Sequence, residues 1–314
     1  MIPGTFSVAR RALLLAAAFA CVQVGCAQPF ATWSELLPVW ASHGGLNIKT
    51  EFDRPLVTRG DLTLRMDVFS PAAADAPTPA VVLIHGGFWV YGDRWYMHDW
   101  AADLATEGYT AVSIDYRLIS QGGQYPAPVA DVLAAIVYLR DHAAELNIDP
   151  QQISLFGVSA GAHLALLAGM ASDDSVFDPT WPAGQSADVR AIVEIYGPTD
   201  FTLNPQTAAQ WQLDLVASFL GGTQDQIPQR WEEASPANYA RADGPPVFIL
   251  HGTADPIVPI AQAQALRDAL QAAGQPYQYV EVPGAGHFWG SDWASPEVQS
   301  HLGEILQFLA TPSP

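Results

Sequence analysis

Ser159 sits at the centre of Gly157-Val-Ser159-Ala-Gly161, between an apolar run of strand length, Ile153–Phe156, and a helical pattern that begins near Ala160. In such a strand-turn-helix setting the serine occupies a strained turn and its hydroxyl stands clear of the sheet, while the glycines avoid collision with the neighbouring strand or helix. A serine hydroxyl attacks poorly until a base takes its proton and a third group orients that base. Two downstream residues fit these roles. Asp255 follows the run Val247–Leu250 in His251-Gly-Thr-Ala-Asp255-Pro-Ile-Val-Pro259, and His287 follows the run ending at Val282 in Pro283-Gly-Ala-Gly-His287. Each of the three follows a strand, where the sites of parallel sheets gather.

Other residues compete for these roles. Of the eight histidines, His301 falls in a surface helix pattern, His43 precedes the core, and His163 lies one turn into the serine's helix, where packing explains it. Asp200, after Tyr196-Gly-Pro-Thr, also follows a strand and is the rival to Asp255. The stiff Asp-Pro-Ile-Val-Pro turn favours Asp255 and leaves Asp200 as the cap of its own loop. Acyl chemistry also needs a place for a developing oxyanion. In His85-Gly-Gly-Phe-Trp89, after the run Ala80–Ile84, two flexible residues can aim backbone N–H groups at such a charge, and the amide of Ala160 completes the set. Phe88, Trp89, Tyr91, Trp95, Tyr96 and Trp100 cluster just beyond, and Phe288 and Trp289 follow His287. Aromatic walls suit acyl chains or aryl groups, with packing as the competing reading; Trp89 and Phe288 are the substrate-binding candidates.

These residues need a scaffold. Further strand-length runs are Thr110–Asp115, Val189–Ile195 and Tyr277–Val282. Between them, Val129, Val132, Leu133, Ile136 and Leu139 share one helical face, Leu164 to Ala168 continue a second helix, and 261–273 and 298–309 read as two more. Alternation of this kind predicts an α/β fold with a mostly parallel central sheet flanked by helices. Leu62–Phe69 alternates and suits an antiparallel strand near the edge. Residues 201–239 break the rhythm with Trp211, Leu215, Phe219, Trp231 and several prolines, and are read as a small cap on a single catalytic domain spanning 28–314.

Composition removes several function classes. The 314 residues are 49% apolar and 14% charged, which excludes a disordered or collagen-like chain. Acidic residues outnumber basic ones 32 to 13, and Lys49 is the only lysine, so no phosphate-binding surface for nucleic acid is available. Arg10 and Arg11 precede the short apolar run Ala12–Ala20, and small residues lead up to Gln28. That pattern is a secretory signal over residues 1–27, too short to span a bilayer, with a weak twin-arginine flavour. The expected product is exported, periplasmic or secreted; the alternative is a lipoprotein anchored at Cys26. Cys21 and Cys26 are the only cysteines and both lie in the signal, so the expected mature chain has no disulfide and no thiolate metal site. The chemistry calls for no metal and no organic cofactor. Oligomeric state is left open.

Taken in order, these motifs resemble an α/β-hydrolase-fold serine esterase. Within that fold the chain is similar to the hormone-sensitive-lipase and bacterial feruloyl-esterase-like (BD-FAE-type) branch. The resemblance rests on His85-Gly-Gly-Phe-Trp-Val-Tyr-Gly-Asp93, Asp115-Tyr-Arg-Leu118, Tyr125-Pro-Ala-Pro-Val-Ala-Asp131, Asn147-Ile-Asp-Pro150, Gly157–Gly161, His251–Asp255 and Gly284–His287, and covers about Leu62 to Leu309. It implies Ser159 as nucleophile, Asp255 and His287 as its partners, and Gly87, Phe88 and Ala160 as oxyanion donors. One departure is Phe88, which stands where the lipase branch has a third glycine; its ring narrows the alcohol side, and feruloyl-type esterases and arylformamidases share that form. The implied activity is a carboxylesterase on short-chain or aryl esters, falling as pH drops through the range of an ordinary imidazole, near 6–7. The alternative is an exported serine peptidase or amidase of the same fold, prolyl-oligopeptidase-like or arylformamidase-like.

Overall fold

Apolar runs with no polar face must be covered on both sides, and the computed structural model, which describes residues 47–171, 187–203, 208–287 and 296–311, arranges them so. Eight strands, β1 (Ile48–Arg59), β2 (Leu62–Pro71), β3 (Thr78–Ile84), β4 (Thr110–Ile114), β5 (Ile148–Val158), β6 (Ile192–Ile195), β7 (Val247–Gly252) and β8 (Tyr277–Val282), form one sheet in the order β1-β2-β4-β3-β5-β6-β7-β8. The pairings β1–β2 and β2–β4 are antiparallel and the rest are parallel.

The helices are α1 (His98–Thr106), α2 (Ala127–Asp141), α3 (Ala143–Leu146), α4 (Ala160–Met170), α5 (Gln210–Leu220), α6 (Pro228–Glu233), α7 (Ala261–Ala273) and α8 (Pro296–Ala310). Period-two alternation splits each strand between two cores. Val82, Ile84, Leu155 and Ile249 pack with α2, α4 and α7 on one face. Val81, Leu83, Phe156 and Phe248 pack with α1 and α8 on the other. The expected α/β architecture is therefore present, and 261–273 and Tyr277–Val282 keep their expected bounds.

Two features complete this picture. Leu62–Phe69 is antiparallel and near the edge, as expected, with β1 in the outermost position. β1 reads poorly as a strand because its charged residues, including Lys49, Glu51 and Asp53, face water, and its register shifts near Glu51–Arg54 and Pro55–Val57. Within 201–239, read from the sequence as a small cap, the described residues carry the helices α5 and α6. Phe201, Phe219 and Trp231 bury their rings in the core on the α4 side, and α5 and α6 are thereby held against that core. Residues 1–27, read from the sequence as a signal and including Cys26, and Phe288 lie outside the described residues.

Candidate active site

Ser159 adopts φ 54° and ψ −121°, a conformation L-residues avoid, which lifts its side chain off the end of β5 at the start of α4. Close packing holds it there. A Cβ on Gly157 would fall 2.3 Å from the Gly161 carbonyl oxygen, and one on Gly161 would fall 2.1 Å from that of Ile84. The Ser159 N–H donates to Ile195 O of β6 (2.9 Å). The strained turn is thus fixed by two strands and a helix.

The three residues separated widely in sequence meet. Ser159 Oγ lies 2.9 Å from His287 Nε2, and His287 Nδ1 lies 2.7 Å from Asp255 Oδ2. All three are nearly buried, at 8%, 3% and 8% exposure for Ser159, His287 and Asp255. Asp255 Oδ1 accepts the N–H groups of Ile257 (2.8 Å) and Val258 (2.9 Å), so the stiff turn after β7 aims the other oxygen at the imidazole. The loops after β7 and β8 are tied together by Thr253 N–H to Val282 O and Ala254 N–H to Ala285 O, both at 3.0 Å. Burial would raise the Asp255 carboxyl, but hydrogen bonds from His251 and His287 outweigh it and hold the group well below the usual carboxylate range. An ionised Asp255 only accepts, which puts the proton of neutral His287 on Nδ1 and leaves the Nε2 lone pair facing the serine hydroxyl.

The loop after β3 abuts this group, since a Cβ on Gly86 would lie 3.2 Å from Ser159 Cβ. Gly87 has φ 120°, and Phe88 and Trp89 also have positive φ, unusual for large side chains. His85 Nδ1–H donates to the Gly86 carbonyl (2.6 Å), and the Gly87 carbonyl accepts from Val90 and Tyr91 N–H (3.0 and 3.1 Å). C=O and the next N–H point in opposite directions across a trans peptide, so holding these two carbonyls fixes the Gly87 and Phe88 N–H groups. Neither N–H has an acceptor among the described residues. Ala160 opens α4, where an N–H has no intrahelical acceptor.

Beside Ser159 lies a cleft walled by Phe88, Trp211, Leu215, Val216, Ile257 and Val258. Its two glutamines are engaged elsewhere. Gln212 bonds to Ala209 N–H and Ile257 O, and Gln262 to the Thr199 and Asp200 N–H groups and Asp200 O. The cleft consequently offers carbon surface next to a nucleophile.

Trp89 lines the cleft and is also packed from behind. It is buried, stacks on Phe219 (4.4 Å between centroids) and meets His163 edge-on (5.3 Å). Trp100 packs on Phe156 in the core. The rival residues sit elsewhere as expected: His163 Nε2–H donates to Ala234 O (2.8 Å), and burial pushes its imidazole down to about 4. Asp200 caps its own loop through Thr202 N–H (2.8 Å) and Oγ1–H (2.5 Å). Three contributors escape sequence reasoning. Trp211 is too far along the chain from Ser159 to be placed beside it, and Glu194 and His251 lie buried near Asp255. A lone glutamate inside Ile192-Val-Glu-Ile195 was the available signal, because a buried carboxylate is costly without a purpose. Among the described residues, no group of three or more His, Cys, Asp and Glu could hold a metal ion, and no helix is long and apolar enough to cross a membrane.

Similarity to known proteins agrees with this arrangement. The chain is 32% identical over 215 residues to the esterase LipC of Mycobacterium tuberculosis and 34% identical over 212 residues to esterase LipQ of the same organism, each match covering 67% of this chain. The matched segments span 53% and 50% of those relatives, about half their length. Among solved structures, a thermophilic esterase of the planctomycete Thermogutta terrifontis superposes with a TM-score of 0.69 at 27% identity, covering 85% of this chain and 94% of its own. Forms of that esterase with propionate and with butyrate bound superpose with TM-scores of 0.70 and 0.69, both at 26% identity. Residues 66–270 match the BD-FAE family model, and the chain belongs to that family.

Proposed function

We propose that the chain is a serine carboxylesterase that hydrolyses short-chain or aryl esters through an acyl-enzyme on Ser159. The observation that carries this is the pair of hydrogen bonds linking Ser159 Oγ, His287 and Asp255 at 2.9 and 2.7 Å. Neutral His287 takes the Ser159 proton as Oγ adds to the ester carbonyl carbon, and Asp255 steadies the imidazolium. Backbone N–H groups of Gly87, Phe88 and Ala160 receive the oxyanion. The tetrahedral species collapses, the bond to the alcohol oxygen breaks, and His287 gives that oxygen its proton. Water, losing a proton to the same imidazole, then releases the acid from Ser159.

The carbon-lined cleft supports a small apolar acyl or aryl group, as do the propionate and butyrate bound by the Thermogutta esterase. Trp89 forms the back of that cleft in this reading, and Phe288 follows the catalytic histidine in sequence. Residues 28–314 act as one catalytic domain with 201–239 as a small cap. The basic and apolar start of the chain supports export, with Cys26 lipidation as the other route. The test is hydrolysis of p-nitrophenyl acetate, butyrate, octanoate and ferulate by the wild type and Ser159→Ala. The variant should lose about 10⁴-fold in kcat. Turnover of peptide amides in place of esters would move the assignment to a peptidase of this fold.

A further inference from the structure

The turn that carries Asp255 is anchored from two sides. From the sheet, His251 Nε2 of β7 donates to the Val258 carbonyl at 2.7 Å. From the side of the cleft, Gln212 Nε2 of α5 donates to the Ile257 carbonyl at 2.5 Å, across 45 residues of sequence. The amide of Gln212 is not free to turn. Its Oε1 accepts the Ala209 N–H at the start of its own helix. A backbone N–H only donates and a carbonyl only accepts, so one arrangement satisfies both, with an Nε2–H on Ile257 O.

The bond matters because of the peptide it grips. The Ile257 carbonyl and the Val258 N–H belong to one peptide unit and point in opposite directions across it. The Val258 N–H is one of the two donors that hold Asp255 Oδ1, at 2.9 Å, and the other carboxylate oxygen receives the His287 Nδ1–H at 2.7 Å. A continuous chain of hydrogen bonds therefore runs from Gln212 through the 257–258 peptide, Asp255 and His287 to Ser159. Donation to the carbonyl fixes the tilt of the peptide plane and polarises its N–H toward the carboxylate. We infer that Gln212 is a positioning residue for the proposed esterase: by holding the Ile257–Val258 peptide it keeps the Asp255 carboxylate aimed at His287, and it makes the placement of α5 part of the active geometry. The inference rests on the triad reading above.

Packing and capping account for less. As a wall of the cleft Gln212 needs only bulk, and as a helix cap it needs only Oε1. Neither role needs a donor on Ile257. That donor joins two walls of the same cleft, Trp211 and Leu215 on α5 and Ile257 to Pro259 on the turn. The surface that would grip an acyl group is thereby tied to the carboxylate that steadies the base.

The experiment compares the full wild-type chain with Gln212→Met and Ala209→Pro. Methionine keeps the length of the side chain and neither accepts nor donates here. Proline suits the Ala209 φ of −72° and removes only the N–H that Gln212 accepts, leaving the donation to Ile257 in place. Steady-state hydrolysis of p-nitrophenyl acetate, butyrate and octanoate gives kcat and KM for each form. Gln212→Met should lose about fivefold in kcat on every ester, the scale of one net hydrogen bond, with KM within about twofold. Ala209→Pro should keep the wild-type kcat. The proton between His287 and Asp255, followed by NMR, should move upfield in Gln212→Met and stay in place in Ala209→Pro. A wild-type kcat in Gln212→Met, or a change confined to KM or to chain-length preference, would overturn the inference and leave Gln212 a wall. An equal loss of kcat in both variants would overturn it as well and leave Gln212 a helix cap. Should either variant fail to fold, Gln212→Glu decides. Its carboxylate keeps the bond to the Ala209 N–H but cannot donate to Ile257; a fall in kcat supports the inference, and a wild-type kcat sinks it. Ser159→Ala separates the two levels of the argument: full activity in that variant would sink the triad itself, whatever Gln212 does.

Discussion

Changing Asp255 to asparagine asks whether the carboxylate orients His287 or merely fills space. Asp255 Oδ1 accepts two backbone N–H groups, from Ile257 at 2.8 Å and Val258 at 2.9 Å. An asparagine must place its carbonyl oxygen there, because turning the amide round would oppose NH₂ to two N–H donors. Each buried donor left unsatisfied costs about 1–3 kcal/mol, so the turned amide is disfavoured by about 2–6 kcal/mol. The favoured orientation points NH₂ at His287 Nδ1, which can then only accept. The imidazole proton is forced to Nε2, facing Ser159 Oγ, where a base needs its lone pair. Activity survives only through the turned population, about one part in 30 to one in 10⁴ by that energy range, and it also lacks the charge that steadies the imidazolium. The expected loss in kcat is about 10³–10⁴-fold, with KM little changed. Steady-state hydrolysis of p-nitrophenyl butyrate measures it, with circular dichroism confirming the fold. An Asp255→Asn enzyme within tenfold of wild type would refute the orientation argument.

Other perturbations probe the loop, the cleft and the elbow. His85→Phe keeps a ring against Tyr116, on which His85 stacks at 4.3 Å, but cannot hold the Gly86 carbonyl. Its kcat should fall about 10²-fold with KM preserved, as expected when an oxyanion donor is misaimed. Trp211→Ala removes a wall of the cleft, and kcat/KM for octanoate relative to butyrate should rise about tenfold in a chain-length series. Gly161→Ala drives a Cβ to 2.1 Å from the Ile84 carbonyl oxygen, so α4 must move off β3. Calorimetry should record a Tm lower by about 5–10 °C, with activity reduced alongside.

The parallel core was legible because its strands are apolar on both faces and its helices keep a 3.6-residue period. Val247–Leu250 and Ala261–Ala273 needed no tertiary information. The order Ser159, Asp255, His287 followed from loops that succeed strands, and the structure brings these residues together. β1 was hidden because a strand with exposed charges on the sheet's margin lacks an apolar signature. Trp211 was hidden for a different reason: α5 reaches the cleft only through the packing of Phe201, Phe219 and Trp231, which links residues distant in sequence. Sequence reasoning placed Trp89 with the substrate; it lines the cleft beside Ser159 and is also buried and stacked on Phe219.

The layout of the site separates two kinds of mutational freedom. Ser159 and the Gly87 loop stand on strand ends where an added Cβ at Gly87, Gly157 or Gly161 would fall within 2.5 Å of a backbone atom, so little drift is tolerated there. Trp211 and Leu215 stand on α5, outside the sheet and outside the hydrogen-bond chain that moves the proton. Substitutions at those two positions can reshape the cleft while the hydrogen-bond chain from Ser159 to Asp255 stays intact. Under the proposed function, a lineage built this way explores new esters by small inheritable steps, each passing through a working hydrolase.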